Sequence, residues 1–257
     1  MRRNQRDNKH FEPSENIIYG RNPVLELLRA GKRTVNKIML AQTARGTAVE
    51  EIVKLAKEKG IALHSAPPER FDRFGENSQG VAAEVSATEY VELSDLISLS
   101  KKETKFPLLI ILDGIEDPHN LGAIIRNCVA FGANGVIIPK WRAAGVNETA
   151  AKASAGAVEH IRICKVVNTN QAVDLLKEEG FWIAGAENGG QPLQEAKLAF
   201  PLVVIIGGEG AGIKNLTKQK CDFLISIPQE KTISSLNASC ASAVILHELY
   251  KQRNPKS

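Results

Sequence analysis

Six short, mostly apolar runs punctuate the second part of this chain: Leu108–Leu112, Gly135–Ile138, Ile161–Val166, Phe181–Gly185, Leu202–Ile206 and Phe223–Ile227. A strand with one wet face alternates apolar and polar residues, whereas Leu108-Leu109-Ile110-Ile111-Leu112 is apolar on both sides and must be covered on both. Segments of helical length separate the runs, and that alternation predicts an α/β fold with a mostly parallel sheet between helical layers. At about 150 residues per domain the length allows one or two domains. The 257 residues are 24% charged and 43% hydrophobic, a balance that excludes disorder, collagen and fibre. No apolar stretch reaches the roughly 20 residues of a membrane span, so no membrane partner is expected.

The pattern before Phe106 is different. Residues 1–15 are polar, charged and without period, and read as a disordered basic tail. From residue 16 to 88 a small α/β domain is expected. It has a helix starting at Asn22-Pro23 with Val24, Leu27 and Leu28 on one face, a second helix through Val49, Ile52, Val53 and Ala56 ended by Gly60, and strands at Val35–Ala41, Ile61–His64 and Gly80–Val85. The polar run Ser98–Lys105 reads as a linker, placed over 89–105, which leaves 106–257 as the larger domain. The first ten residues carry four basic and one acidic side chain and the last seven carry three basic. The ends therefore hold +6, and the body between them −2, of the net +4. Such a chain meets nucleic acid through local patches and not through a uniformly basic face. Cys128, Cys164, Cys221 and Cys240 show neither C-x-x-C nor zinc-finger spacing, so they read as reduced core thiols with no metal. The basic N-terminus lacks an apolar continuation, which argues against a secretory signal and for a cytoplasmic location.

In an open parallel sheet ligands bind beyond the carboxyl ends of the strands, so the segments after Leu112, Ile206 and Ile227 are the places to look. The first, Asp113 to Asn127, passes from a carboxylate-rich loop into a helix near Asn120. Asn120 and Arg126 are separated by about 240° around the helix axis or by a bend at Gly122, and both can reach one cleft if Asn120 sits at the entry turn. The second is Gly207-Gly208-Glu209-Gly210-Ala211-Gly212, glycine-dense after a buried strand. It holds neither G-x-G-x-x-G in register nor a P-loop pattern. In the third, Ile227 to Ser239, Ser234 or Ser235 can cap the helix that follows and leave free N–H groups for an anionic ligand. Trp141 and Arg142, after the strand at Ile138, either enter the substrate cleft or anchor their loop.

Taken in order, N-x-G-A-x-x-R at Asn120 to Arg126, G-x-E-x-x-G at Gly207 to Gly212 and I-P…S-L-N at Ile227 to Asn237, the chain resembles the SpoU/TrmH family of RNA ribose 2′-O-methyltransferases, within the SPOUT superfamily. Ile18-Tyr19-Gly20 and Ser78-Gln79-Gly80 resemble the ribosomal-protein-like RNA-binding domain of its RlmB-like members, which modify a guanosine of 23S rRNA. The resemblance implies a trefoil-knotted catalytic domain, S-adenosylmethionine as cofactor, RNA and no DNA as partner, and a homodimer through the last helix with active sites built from both subunits. It implies Asn120, Arg126, Glu209, Ser235 and Asn237 as catalytic residues, and Ile206, Gly207, Gly208, Gly212, Ile227, Pro228, Ser235 and Leu236 around the cofactor. A guanidinium stays protonated in proteins, so Arg126 reads as an orienter of phosphate and hydroxyl, with Glu209 holding it or Asn120. Arg21, Arg33 and Arg45 are the candidates for RNA contact, with Arg126. The chain departs from the family pattern at Gln229, Lys231 and Ala238, which bears on the cofactor loop. The alternatives are a methyltransferase acting on tRNA, a resistance-type rRNA methyltransferase, and a non-catalytic RNA-binding ribosome-assembly protein.

Overall fold

The computed structural model describes residues 16–75, 78–208, 210, 212–230 and 235–254; the tail expected over 1–15, Glu209, Lys231 and Ser234 lie outside them. The smaller sheet comprises β1 (Ile17–Tyr19), β2 (Val35–Ala41), β3 (Ala62–Ala66) and β4 (Val81–Val85) in the order β1-β4-β2-β3, antiparallel except for β2 with β3. Helices α1 (Arg21–Ala30) and α2 (Thr47–Glu58) cover it with Val24, Leu27 and Leu28 from one and Val49, Ile52 and Ala56 from the other. Helix α1 begins one residue before the expected Asn22. Gly20, at φ 100°, takes the cap position and Pro23 falls in the first turn, where a missing N–H forfeits no helical bond.

The larger domain carries β5 (Leu108–Asp113), β6 (Gly135–Pro139), β7 (Arg162–Val166), β8 (Trp182–Pro192), β9 (Leu202–Gly207) and β10 (Phe223–Ser226). Its helices are α3 (Leu93–Glu103), α4 (Pro118–Ala130), α5 (Glu148–Ala153), α6 (Thr169–Glu178), α7 (Asn215–Gln219) and α8 (Ala238–Arg253). The strands run β10-β8-β9-β5-β6-β7, every pair parallel. Along β5 the side chains divide between two cores. Leu108, Ile110 and Leu112 join Leu121, Ile124 and Ile125 of α4 and Ile245, Leu246 and Leu249 of α8. Leu109 and Ile111 join Leu96 and Ile97 of α3 and Ala172, Val173 and Leu176 of α6. Each such side chain contributes about 1.5–3 kcal/mol when fully buried, which is why a strand apolar on both faces can sit nowhere but the middle of the sheet.

Two sequence expectations are corrected here. Most of the expected linker is helix α3, whose Leu96, Ile97 and Ser100 are buried, and Val91 bridges Cys164 at the edge of the sheet. Leu93 packs on the same core, so Leu93, Leu96, Ile97 and Ser100 form a helical face that the polar run from Ser98 hid. Strand β8 also continues past Gly185 to Pro192, because Gly190 lets the backbone at Leu224 approach closely.

The two domains share one continuous core, and α1 packs on the turn at Ala157–His160. Arg33 is fixed in this seam. Its Nη1 donates to Glu159 Oε1 at 3.1 Å and its Nε to the Ser86 carbonyl at 3.0 Å, with the Arg33 side chain 9% and that of Glu159 4% exposed. An arginine enclosed in this way is a structural tie between domains, which overturns its expected place on an RNA-contacting surface. Glu26 adds a second tie, to His160 Nε2 at 2.8 Å.

Candidate active site

The chain lays β5, β6 and β7 side by side outward, then returns to the other side of β5, so the strand order reverses between β5 and β9. Asp113 and Gly207 face one another across that seam at the carboxyl ends of their strands, the position at which open parallel sheets bind ligands. Gly207 and Gly208 are glycines for want of room. A methyl group on the first would fall on the Gly212 carbonyl, and on the second on the Gly114 carbonyl. Gly212 N–H donates to the Gly208 carbonyl at 3.0 Å and closes the loop, while Glu209 within it lies outside the described residues. The far end is held by Asp113. Its buried carboxylate accepts from the Lys214 backbone N–H at 3.2 Å and from Lys214 Nζ at 2.8 Å, the compensation that a carboxylate out of water requires.

Beyond this loop lies a cavity of about 300 Å³, at the lower end of the range for small-molecule sites, about 300–1,000 Å³. Ile206, Gly207, Gly208, Gly212, Ile227, Ser235 and Leu236 of the expected cofactor set line it. Pro228 does not; Gln229 does, together with Glu187 and Asn188 from the unexpected extension of β8. Glu187 is paired with Lys218 at 3.3 Å. Apolar walls from Ile206, Ile227, Leu236 and Ile245, close backbone at the glycines and a few polar side chains suit a ligand with a flat apolar part and a charged end. A second cavity of about 500 Å³ adjoins it across Gly208 and Gly212, and is walled by Glu116, Asp117, Asn120, Arg142 and Lys214 among others.

Asn120 and Asn237 meet here. Asn237 Oδ1 caps α8 by accepting from Ser239 N–H at 2.9 Å and Cys240 N–H at 3.3 Å. That bonding fixes which end of the amide is nitrogen, and Nδ2 donates to Asn120 Oδ1 at 3.0 Å. The cap of α8 is therefore Asn237 and not Ser234 or Ser235; Ser235 is exposed on the wall of the first cavity. Helix α4 is capped by Asp117, starts at Pro118 and runs unbroken; Asn120 does sit in its first turn, yet Arg126 does not reach the cleft that Asn120 lines. Arg126 is exposed and lines neither cavity. Its neighbour Asn127, which the sequence reading passed over, joins α4 to α8 by donating from Nδ2 to the Ser239 carbonyl at 3.0 Å and Ser242 Oγ at 2.9 Å. A polar residue beside buried Cys128 was its one signal.

Arg45 is exposed and Arg21 partly so, on the small domain; Arg21 Nε donates to the Gln79 carbonyl at 3.4 Å, and Arg45 Nη1 to the Gln42 and Ala44 carbonyls at 2.7 Å. Cys128 and Cys164 are buried as expected, but Cys240 is exposed on α8. Among the described residues no group of three potential metal ligands occurs, and no helix is long and apolar enough to cross a membrane.

The fold and the cleft define a two-domain α/β protein with a glycine-walled cavity opening beside a polar one. Comparison with known proteins narrows this class. Residues 107–247 match the SpoU rRNA methylase family, and residues 17–91 match the RNA 2′-O ribose methyltransferase substrate-binding domain. The chain is 40% identical over 241 residues to the TrmH-family protein YacO of Bacillus subtilis, covering 93% of this chain and 96% of that one. It is 41% identical to a tRNA/rRNA methyltransferase of Synechocystis, covering 96% of this chain and 65% of that one. Its fold matches the SpoU methyltransferase AviRb of Streptomyces viridochromogenes in complex with AdoMet, with TM-score 0.77, 22% identity and coverage of 92% and 90%. An AdoMet-bound rRNA methyltransferase from Sinorhizobium meliloti matches with TM-score 0.76, 22% identity and coverage of 93% and 87%. The chain belongs to the SpoU rRNA methylase family and is an S-adenosylmethionine-dependent RNA 2′-O-ribose methyltransferase.

Proposed function

We propose that the protein methylates the 2′-hydroxyl of a guanosine in 23S rRNA in the cytoplasm, with S-adenosylmethionine in the glycine-walled cavity and the target ribose in the cavity that holds Asn120. The observation that carries this reading is the pair of adjoining cavities with a common glycine wall, the second lined by Asn120, which Asn237 holds by a hydrogen bond. The residues present fit the donor: Gly207, Gly208 and Gly212 bring bare backbone to the cavity wall, and Ile227, Leu236 and Ile245 supply apolar walls. When bound, S-adenosylmethionine supplies a methyl group on a sulfonium, open to in-line attack. Asn120, held by Asn237, presents its amide to the ribose and fixes the approach of the hydroxyl. Ser235 and Asn237 lie on a hydrogen-bond route for the departing proton, and Glu209 completes the set. Arg126 orients the phosphate and hydroxyl as a permanent cation.

Because Arg126 faces away from its own cleft, we assign it to the cleft of a second protomer. Exposed Val244 and Tyr250 on α8, with Arg126 on the adjoining α4, support a homodimer through this face. We also assign to this domain the trefoil knot of the family, around Gly207–Gly212 and Ile227–Ser239. Arg21 and Arg45 on the small domain contact RNA backbone.

The experiment is transfer of labelled methyl from S-adenosylmethionine to unmodified 23S rRNA, tRNA and a no-RNA control, with the product mapped by alkaline-resistant dinucleotides. Label at one 23S guanosine, lost with Arg126→Ala, is expected; label confined to tRNA would move the substrate, and none on any RNA would remove the assignment. Mixing equal amounts of Arg126→Ala and Asn120→Ala protein under dimer exchange should restore about a quarter of wild-type activity, since half the dimers then carry one intact site. No restoration would put Arg126 to work in its own subunit.

A further inference from the structure

The loop between β6 and α5 presents a tryptophan to solvent with an arginine beside it. Lys140 N–H donates to the Val166 carbonyl at 2.8 Å, and Ala144 N–H to the Ile115 carbonyl at 2.8 Å. Both ends of the loop are thus pinned, and Trp141, Arg142 and Ala143 form a short tip. Trp141 is 66% exposed, the most of any tryptophan in the chain. That exposure excludes an anchoring role, since an anchor buries its ring. Lys140 Nζ lies 5.2 Å from the ring centroid. Arg142 adopts a left-handed backbone at φ 54°, uncommon for a residue with a side chain. It lines the same cavity as Asn120, Gly208 and Gly212. Of the carboxylates there, Asp113 is paired with Lys214, Asp117 accepts the His119 N–H at 2.9 Å as the cap of α4, and Glu116 is exposed.

An exposed aromatic face beside a guanidinium and an ammonium is the combination that binds unpaired RNA: the ring stacks on a base, and the planar fork takes a phosphate. A duplex offers no free base face to such a ring. We infer that the Trp141–Arg142 tip is a single-strand recognition element, with Trp141 stacking on an unstacked base next to the target ribose and Arg142 gripping the adjoining phosphate. The inference rests on the assignment of the Asn120 cavity to the target ribose, and it makes the enzyme selective for a nucleotide in a loop or bulge.

The chain has two tryptophans, so Trp182→Phe leaves Trp141 as the sole indole. In that protein, titration with a single-stranded oligoribonucleotide of mixed sequence should quench the fluorescence, and the same sequence as a duplex should quench much less. In methyl transfer, Trp141→Ala should raise KM for RNA about tenfold with kcat within about twofold, and Trp141→Phe should restore most of the affinity, as stacking requires. Arg142→Ala should weaken RNA binding and make it less sensitive to salt. Equal quenching by duplex and single strand, or an unchanged KM in Trp141→Ala, would overturn the inference. Quenching of the Trp182→Phe protein by the single strand, with no methyl transfer to any RNA by the wild type, would support the tip as an RNA contact and instead sink the functional assignment above.

Discussion

Replacing Arg33 by methionine keeps most of the buried stem and removes the charge from the seam between the domains. Glu159 is then left with a side chain 4% exposed and without its bonded cation, and the Ser86 carbonyl loses its donor. Taking one partner from a buried ion pair costs about 3–5 kcal/mol. At about 2–4 °C per kcal/mol for a chain of this size, melting should fall by about 10 °C at pH 7.5. The loss should depend on pH in one direction. Burial lifts the Glu159 carboxyl above its ordinary range, and Arg33 opposes that shift. Without Arg33 only the fields of His160 and Lys32 still oppose it, so the folded-state pKa climbs further. A carboxyl raised on folding retains its full contribution below the unfolded pKa and loses it as pH rises through the folded one. The deficit should accordingly be small near pH 5 and widen towards pH 7.5. Scanning calorimetry at both values measures it, with Arg33→Met/Glu159→Gln as the second variant. That double variant should recover at least about half of the lost stability, because no charge is stranded. A deficit independent of pH, or no recovery in the double variant, would refute the reasoning.

Gly207→Ala should abolish S-adenosylmethionine binding in calorimetry while the protein still folds, because the added methyl meets the Gly212 carbonyl; measurable binding at wild-type strength would mean the loop shifts freely. Asn127→Ala removes both bonds between α4 and α8 and should lower stability by about 1–3 kcal/mol; an unchanged denaturant midpoint would count against that tie. Burial lifts the Cys164 and Cys221 thiols to about 11, so neither should react with iodoacetamide at pH 8 until the protein unfolds, as read by mass spectrometry. Early modification of Cys221 would contradict its placement beside the Thr217 carbonyl.

The parallel sheet was readable because strands such as Leu108–Leu112 have no polar residue to place, and a sequence of that kind leaves burial on both faces as the only solution. Helix α3 was not read because its period, Leu93, Leu96, Ile97 and Ser100, ends on a serine and runs into the polar stretch to Lys105. The glycine loop announced itself by composition, and its members do line a cavity. The orientation of Arg126 could not be read: a bend at Gly122 was open, whereas α4 is unbroken and Gly122 serves the close approach of the Ala150 backbone, a contact set by tertiary structure. Arg33 was misread for a related reason. A surface arginine and one that closes a domain seam look alike until the partner carboxylate, 126 residues away, is known.

Gly208 and Gly212 belong to two cavities at once. Whatever displacement one occupant imposes on that wall reshapes the room left for the other, with no side chain in between to absorb it. With the donor in one cavity and RNA in the other, as proposed, any factor by which the donor strengthens RNA binding must equal the factor by which RNA strengthens binding of the donor. On that assignment the shared glycines are the contact through which the two halves of a bisubstrate reaction sense each other.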